Sequence, residues 1–188
     1  MTKKLKSGSL FSGYGGLSRA VEKVFNAETV WVSDIDKASC RVLEKVYPGV
    51  PNLGDVTTVD WSLVEPVDII EGGSPCQDMS MANVTRDGMI EGKTRSGLWS
   101  AMRDAVDALK PTYVVWENVH GALSAKASSQ MEYYAGLLGD DRPQLRAVGR
   151  VLGDLADLGY DAVWRSLRVS EIGGGMDRAR VFLLAVKR

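Results

Sequence analysis

Cys76 is the residue of this chain best placed to do chemistry. It sits in the run Gly72 to Ser80, GGSPCQDMS, directly after the apolar stretch Val67 to Glu71 with its acidic ends. A strand that runs into a glycine- and proline-bearing turn puts a thiol at the strand's carboxyl end. Open α/β sheets hold their ligands at that edge, and a thiol there is a candidate nucleophile. The second cysteine, Cys40, lies three residues from Leu43 in the expected helix Lys37 to Val46, and a free cysteine in that setting packs. Three further groups have suitable types. Glu117 and Asn118 follow a run of β-branched and aromatic residues, Arg178 and Arg180 precede the strand Val181 to Leu184, and Ser12 to Gly16 is a glycine turn ahead of a helix. Singly, each has a plain reading: a solvated strand-end carboxylate, surface arginines, a simple turn. His120, the only histidine, reads as loop, and Trp116 as core.

The elements that must position these groups alternate. A strand-like segment precedes Ser12 to Gly16, and a helix follows with Leu17, Ala20, Val21 and Val24 as its apolar residues. Thr29 to Ser33 is a second strand ending at Asp34. Asp36 is placed to cap the next helix, which stops near Pro48-Gly49. Asp55 ends an expected third strand. Val67 to Glu71 and Tyr113 to Trp116 read as strands. Leu98 to Leu109 is helical, with Leu98, Met102, Ala105 and Leu109 on one face, and Val148 to Leu158 is helical up to Gly159. Tyr160 to Leu167 and Val181 to Val186 are strands separated by Gly173 to Gly175. The alternation predicts an α/β fold, a mostly parallel, doubly wound sheet with helices on both faces. The short final connection predicts an antiparallel edge pair. Ser124 to Arg146, polar at its ends and apolar at Met131 to Leu138, reads as a helical excursion or a partner surface.

At 188 residues the chain is expected to be a single domain. Its net charge of −1 sets it apart from strongly basic, free-standing nucleic-acid binders. Two cysteines fit a reducing compartment rather than a disulfide framework. The basic, polar start lacks the apolar segment of a signal peptide, and no run is long enough to span a membrane. Cytoplasmic localisation is the expectation.

The motifs together resemble the DNA (cytosine-5) methyltransferase family. GGSPCQDMS resembles its catalytic motif and Leu10 to Gly16, LFSGYGG, its cofactor loop. Trp116-Glu117-Asn118-Val119 resembles its ENV motif, and Arg178 with Arg180 its paired arginines. The four occur in the family's order and span nearly the whole chain. The resemblance implies a class I methyltransferase, Rossmann-like sheet and S-adenosylmethionine as cofactor, with S-adenosylhomocysteine as product and no metal. Phe11, Gly13, Tyr14, Gly15, Gly16, Asp34, Ile35, Asp55, Val56 and Pro75 would hold the cofactor. The loop would take its methionine end, Asp34 its ribose, and Asp55 with Val56 its adenine. The family has aspartate where this chain has Ser9, and glutamate where it has Asp34. The shorter Asp34 keeps the chemistry. Ser9 removes a carboxylate near the cofactor's amino end, which implies weaker binding.

The catalytic residues implied are Cys76, Glu117, Arg178 and Arg180. Cys76 would add to carbon 6 of cytosine as a thiolate, Glu117 would serve ring nitrogen 3, and Arg180 would face the exocyclic oxygen with Arg178 nearer the sulfur. Asn118 would brace the turn of Pro75 and Cys76. The polar segment from Cys76 to Leu98 reads as a surface loop that closes over a flipped cytosine. Gln77, Ser80, Arg86, Lys93 and Arg95 would contact DNA there. The family's target-recognition region and later motifs have no counterpart before Arg188, and the glutamine of its last motif is Met176 here. Three readings follow: an active enzyme of low specificity, alone or as a homo-oligomer; the catalytic half of a split enzyme whose partner polypeptide reads the target; or a non-catalytic cofactor- or DNA-binding module.

Overall fold

The computed structural model describes residues 3–74, 89–90, 98–128 and 145–188. The chain gathers into two compact units. The first is Met1–Gly73 with Ala101–Trp116 and Leu184–Lys187; the second is Ser74–Ser100 with Glu117–Leu183 and Arg188.

In the first unit β1 (Leu5–Leu10), α1 (Gly16–Phe25), β2 (Ala27–Ser33) and α2 (Lys37–Val46) follow one another, then β3 (Ile69–Gly72). α3 (Trp99–Leu109) precedes β5 (Tyr113–Val119). β1 pairs in parallel with both β2 and β3, and β3 in parallel with β5. The β1–β2 register shifts between Ser7 and Gly8. Gly8 is required there, because a Cβ would lie 2.0 Å from Cζ2 of Trp31. That ring is buried, and its Nε1 donates to the Glu65 carbonyl at 3.0 Å. Val21, Ala27 and Ile69 form one apolar cluster; Val32, Leu43 and Tyr47 form another. Asp36 caps α2 as expected, accepting from the Ser39 amide at 2.8 Å.

The second unit holds a small sheet of β4 (Met89–Ile90), β6 (Lys126–Ser128) and β7 (Leu145–Arg146), followed by α4 (Ala147–Asp157) and β8 (Tyr160–Arg168). Val151 and Leu155 of α4 are buried. Asp154 anchors that helix, accepting from Trp99 Nε1 at 2.8 Å and pairing with Arg150 at 3.3 Å. β9 (Ala179–Lys187) completes the main sheet, whose order is β2-β1-β3-β5-β9-β8. The Val169 amide donates to the Arg178 carbonyl and the Arg188 amide to that of Gly159. The end of β8 thus meets the start of β9, and β8 and β9 are the expected antiparallel pair.

Four expectations change. The third strand ending at Asp55 is reduced to an isolated bridge between Val32 and Asn52, and Asp55 instead caps the 3-10 turn Val56–Thr58 through the Thr57 amide. β5 runs on to Val119 rather than stopping at Trp116. Val24 of α1 is 76% exposed, whereas Ser18 is buried beside Val21. The ends of the Ser124 to Arg146 segment pair as strands, Lys126 with Arg146 and Ala127 with Leu145. Met131 to Leu138 lie outside the described residues. Trp116 is fully buried, as expected.

Candidate active site

The carboxyl ends of β1 and β3 lie side by side, Leu10 opposite Gly72. Gly72 has no room for a side chain, since a Cβ would stand 2.8 Å from the Leu10 carbonyl oxygen. From β1 the chain enters the glycine turn with Phe11 in the left-handed region (φ 52), followed by Gly13 (φ 54) and Gly15 (φ 77). A strained non-glycine residue of this kind persists where its surroundings over-determine it. Gly15 begins α1, which carries no side-chain cap, so its first amides remain available to a ligand. Among the described residues, Cβ atoms at Gly13 and Gly16 would meet nothing within 4 Å.

Asp34 closes this half. One carboxylate oxygen accepts from the Gly13 amide at 2.7 Å and the other from the Asp36 amide at 2.8 Å. Asn52 then holds Asp34: its Oδ1 accepts from the Asp34 amide at 3.0 Å, and its Nδ2 donates to the Asp34 carbonyl at 3.1 Å. The same Oδ1 accepts from the Gly54 amide, ahead of Asp55. Hydrogen bonds from Thr57 hold the Asp55 carboxyl below its usual range. Val56 is buried, while Tyr14 and Ile35 are 66% and 71% exposed. An open groove of about 720 Å³ lies between Tyr14 and α2 residues such as Arg41 and Lys45; Tyr14 alone of the expected cofactor set lines it.

The described residues expected to be catalytic, Glu117, Arg178 and Arg180, belong to the second unit. Glu117 pairs with Arg180, Oε1 to Nε at 3.0 Å. Burial pushes the Glu117 carboxyl up, against the opposing pull of Arg180 and then Arg178. Arg180 also donates from Nη1 to the Ala179 carbonyl. Asn118 is buried, and its Nδ2 donates to the Ser74 carbonyl at 3.0 Å and to Ser74 Oγ at 3.1 Å. Its Oδ1 accepts from the Val119 amide. The amide side chain therefore grips the residue that precedes Pro75. His120 lies in a 3-10 turn, exposed, with Nδ1 2.8 Å from Ser166 Oγ. Pro75, Cys76, Gln77, Ser80, Arg86, Lys93 and Arg95 lie outside the described residues. Cys40 contacts the Asp34 carbonyl and Asn52 Nδ2 through its sulfur, a packing role.

Sequence reasoning missed two features. Asn52, which ties Asp34 to Gly54, had no signal beyond its place in Pro51-Asn52. The other is Glu71, which in the sequence is only an acidic strand end. It is 1% exposed, accepts from Ser18 Oγ at 2.5 Å, and has its carboxyl pushed up to about 7 by burial. Among the described residues no group of three or more His, Cys, Asp or Glu is arranged to hold a metal, and no helix is long and apolar enough to cross a membrane.

A family model described as C-5 cytosine-specific DNA methylase matches residues 5–188. The chain is similar to the type II methyltransferase M.NgoFVII of Neisseria gonorrhoeae, 30% identical over 186 residues, covering 98% of this chain and 44% of that one. It is also similar to the DNA N-6-adenine-methyltransferase of Escherichia phage P1, 34% identical over 152 residues, covering 75% of this chain and 20% of that one. The chain thus spans less than half the length of these relatives. The crystal structure of S. pombe Dnmt2 methyltransferase superposes with a TM-score of 0.69 at 18% identity, covering 98% of this chain and 50% of that one. That likeness extends to the Rossmann-like fold.

Proposed function

The chain belongs to the C-5 cytosine-specific DNA methylase family, and from that premise we propose that it methylates carbon 5 of cytosine in DNA through a covalent adduct with Cys76. The observation that carries the reading is the pairing of Glu117 with Arg180 beside an Asn118 clamped onto Ser74, one residue before Pro75-Cys76.

The first unit fits S-adenosylmethionine. The uncapped amides of α1 suit its carboxylate, the bare main chain at Gly13 and Gly16 admits close approach, and Asp34 keeps lone pairs for ribose hydroxyls. When bound, this cofactor supplies an electrophilic methyl group on a positively charged sulfur. The chain's own residues prepare the base. The Cys76 thiolate forms a bond from sulfur to carbon 6, and the electron pair displaced from the ring is met by a proton from Glu117 at nitrogen 3. Burial keeps Glu117 closer to its protonated form, as a proton donor requires. Carbon 5 then carries the electron density that takes the methyl group. Loss of the carbon 5 proton to a base with expulsion of the thiolate, and return of the nitrogen 3 proton to Glu117, restore the aromatic ring. Arg180 orients Glu117, and the base leaves the duplex to reach the thiol. A partner polypeptide or a second copy of the chain supplying target recognition is part of this proposal.

DNA containing 5-fluorocytosine tests the reading, because fluorine at carbon 5 cannot leave as a proton does. The full chain with S-adenosylmethionine should form an adduct that survives denaturation. Cys76→Ala should abolish it and Cys40→Ala should not. Glu117→Gln should slow it by roughly 10² to 10⁴. No adduct under any condition, with or without candidate partners, would leave only a binding module. The likeness to an N-6-adenine-methyltransferase favours a second reading, adenine as target. Nucleoside analysis of the methylated product separates the two.

A further inference from the structure

Glu71 is a buried acid that the reaction does not use. It sits in β3, in register with Ser9 of β1 on one side and Val115 of β5 on the other. Ser18, in the first turn of α1, stands between the two strands' polar side chains. Its Oγ lies 2.5 Å from Glu71 Oε1 and 3.1 Å from Ser9 Oγ, and all three residues are almost wholly buried. Two other ionisable groups face the cluster. Glu22 of α1 accepts from Thr29, and the Tyr47 hydroxyl, at the end of α2, is buried close to Thr29 and Ser18. Burial raises Tyr47, with the charges of Glu22 and Glu71 pushing the same way and hydrogen bonds with Thr29 and Ser18 opposing them. Among the described residues the one charge acting on Glu71 is that of Glu22, and the α3 residue nearest Gly72 is Met102.

One hydroxyl proton on Ser18 cannot serve both neighbours. With Glu71 ionised, Ser18 donates to the carboxylate, and the Ser9 hydroxyl also turns its proton toward it. With Glu71 protonated, its own O–H donates to Ser18 and Ser18 donates to Ser9. Each hydroxyl is both donor and acceptor, so the charge state of Glu71 sets the direction of the whole chain of bonds. The loop adjoins this cluster through Ser18, in the first turn of α1, and through separate main-chain bonds. The Ser9 carbonyl accepts from Ser12 Oγ, the Ser12 carbonyl accepts from the Gly15 amide, and Gly15 opens α1 over the Tyr47 ring.

We propose that Glu71 is a positioning residue for the Gly13–Gly16 loop, and that in its ionised form it draws Ser18 and Ser9 together and fixes the first turn of α1 against the ends of β1 and β3. A charge-assisted bond to a carboxylate is shorter and roughly twice as strong as its neutral counterpart, which is why the ionised form holds the loop.

The test begins without ligand. In the ¹⁵N-labelled full chain, the amide shifts of Gly13, Gly15 and Gly16 should titrate together with a midpoint near neutrality. The titration should vanish in Glu71→Gln, persist in Glu22→Gln, and shrink in Ser18→Ala, which cuts the link while leaving the carboxyl. Flat shifts in the wild type, or a titration that survives Glu71→Gln, would overturn the proposal. A second arm rests on the cofactor reading. If only the ionised form holds the binding geometry, S-adenosylmethionine affinity should rise about tenfold from pH 6 to pH 8 in the wild type and stay level in Glu71→Gln. A loop that titrates while no form binds cofactor at any pH would sink the cofactor reading and leave the loop coupling standing. Affinity that rises equally in Glu71→Gln would overturn the coupling.

Discussion

Replacing Glu71 by glutamine removes the charge of a buried carboxyl while keeping its size. In the unfolded chain this group titrates near 4.5, and in the fold at about 7. The dominant cause is burial, which disfavours the charged form; hydrogen bonds from Ser18 and Ser9 oppose it, and Glu22 adds a smaller push upward. Between those two pH values the folded protein holds a proton that the unfolded chain has released. Stability therefore falls as pH rises through the window and levels off above it. The full loss is on the order of 3 kcal/mol. The side-chain amide of Glu71→Gln would still accept from Ser18 and would carry no charge at any pH. Urea unfolding of both proteins from pH 4.5 to pH 8 reads the difference directly. The two should be close at pH 4.5, and the variant should gain progressively, by about 3 kcal/mol at pH 8. The raised Glu117 acts with the same sign, but it is present in both proteins and cancels. A gap that does not vary with pH would show that Glu71 is not a neutral acid in the fold, and the reasoning from burial would fail.

Gly8→Ala should destabilise by about 3 kcal/mol or more, the upper range for overpacking, since the new methyl would meet the fixed Trp31 ring; thermal unfolding measures it. Asn118→Ala removes the donor that Nδ2 presents to Ser74 and should cost about 1–3 kcal/mol. Asn118→Asp should do no better, because the position needs a donor; denaturant titration of both checks this. Arg180→Met removes the charge that holds Glu117 down. The alkaline limb of methyl transfer should then move to higher pH while the rate falls, and an unmoved limb would show that Glu117 is not the proton donor.

The sequence was most readable where local rules suffice. Asp36 has a capping residue's type and the Ser39 amide at the right spacing, and it caps α2. Gly13 and Gly15 punctuate a strand-to-helix turn, and both take positive φ. The antiparallel closure of β8 and β9 follows from a short connection. The misreadings have physical causes too. At Asp55 the turn chemistry of Asp-Val-Thr won over strand propensity, leaving only the Asn52 bridge. The strands of the small sheet are two or three residues long, too short for alternation to register. In α1 Val24 is one of the apolar residues yet lies exposed, and the buried face there includes Ser18, whose partner is 53 residues away. In the candidate site the ENV and arginine motifs were legible as types, and so was Asn118 as a brace. The Glu117–Arg180 contact was not, because it joins two strands far apart in the chain. Glu71 was visible only as a letter at a strand end.

That letter bears on the one departure from the family pattern that implied weaker cofactor binding. Ser9 stands where the family has aspartate, but Ser9 is the register partner of Glu71. The carboxylate absent from β1 is present on β3, one strand over, and Ser18 bonds across to both positions. The two positions then work as one site that tolerates a single negative charge. Ser9→Asp would set a second carboxylate against the first, and like charges in one buried site do not both ionise. Ser9→Asp alone should therefore destabilise the fold. Ser9→Asp combined with Glu71→Ala moves the charge back to β1 and should recover much of the loss, giving a coupling of about 1–3 kcal/mol in a double-mutant cycle read by urea unfolding. Additive effects of the two substitutions would mean that Ser9 and Glu71 are separate polar groups that happen to be neighbours, and that the charge beneath the loop is not transposable between the strands.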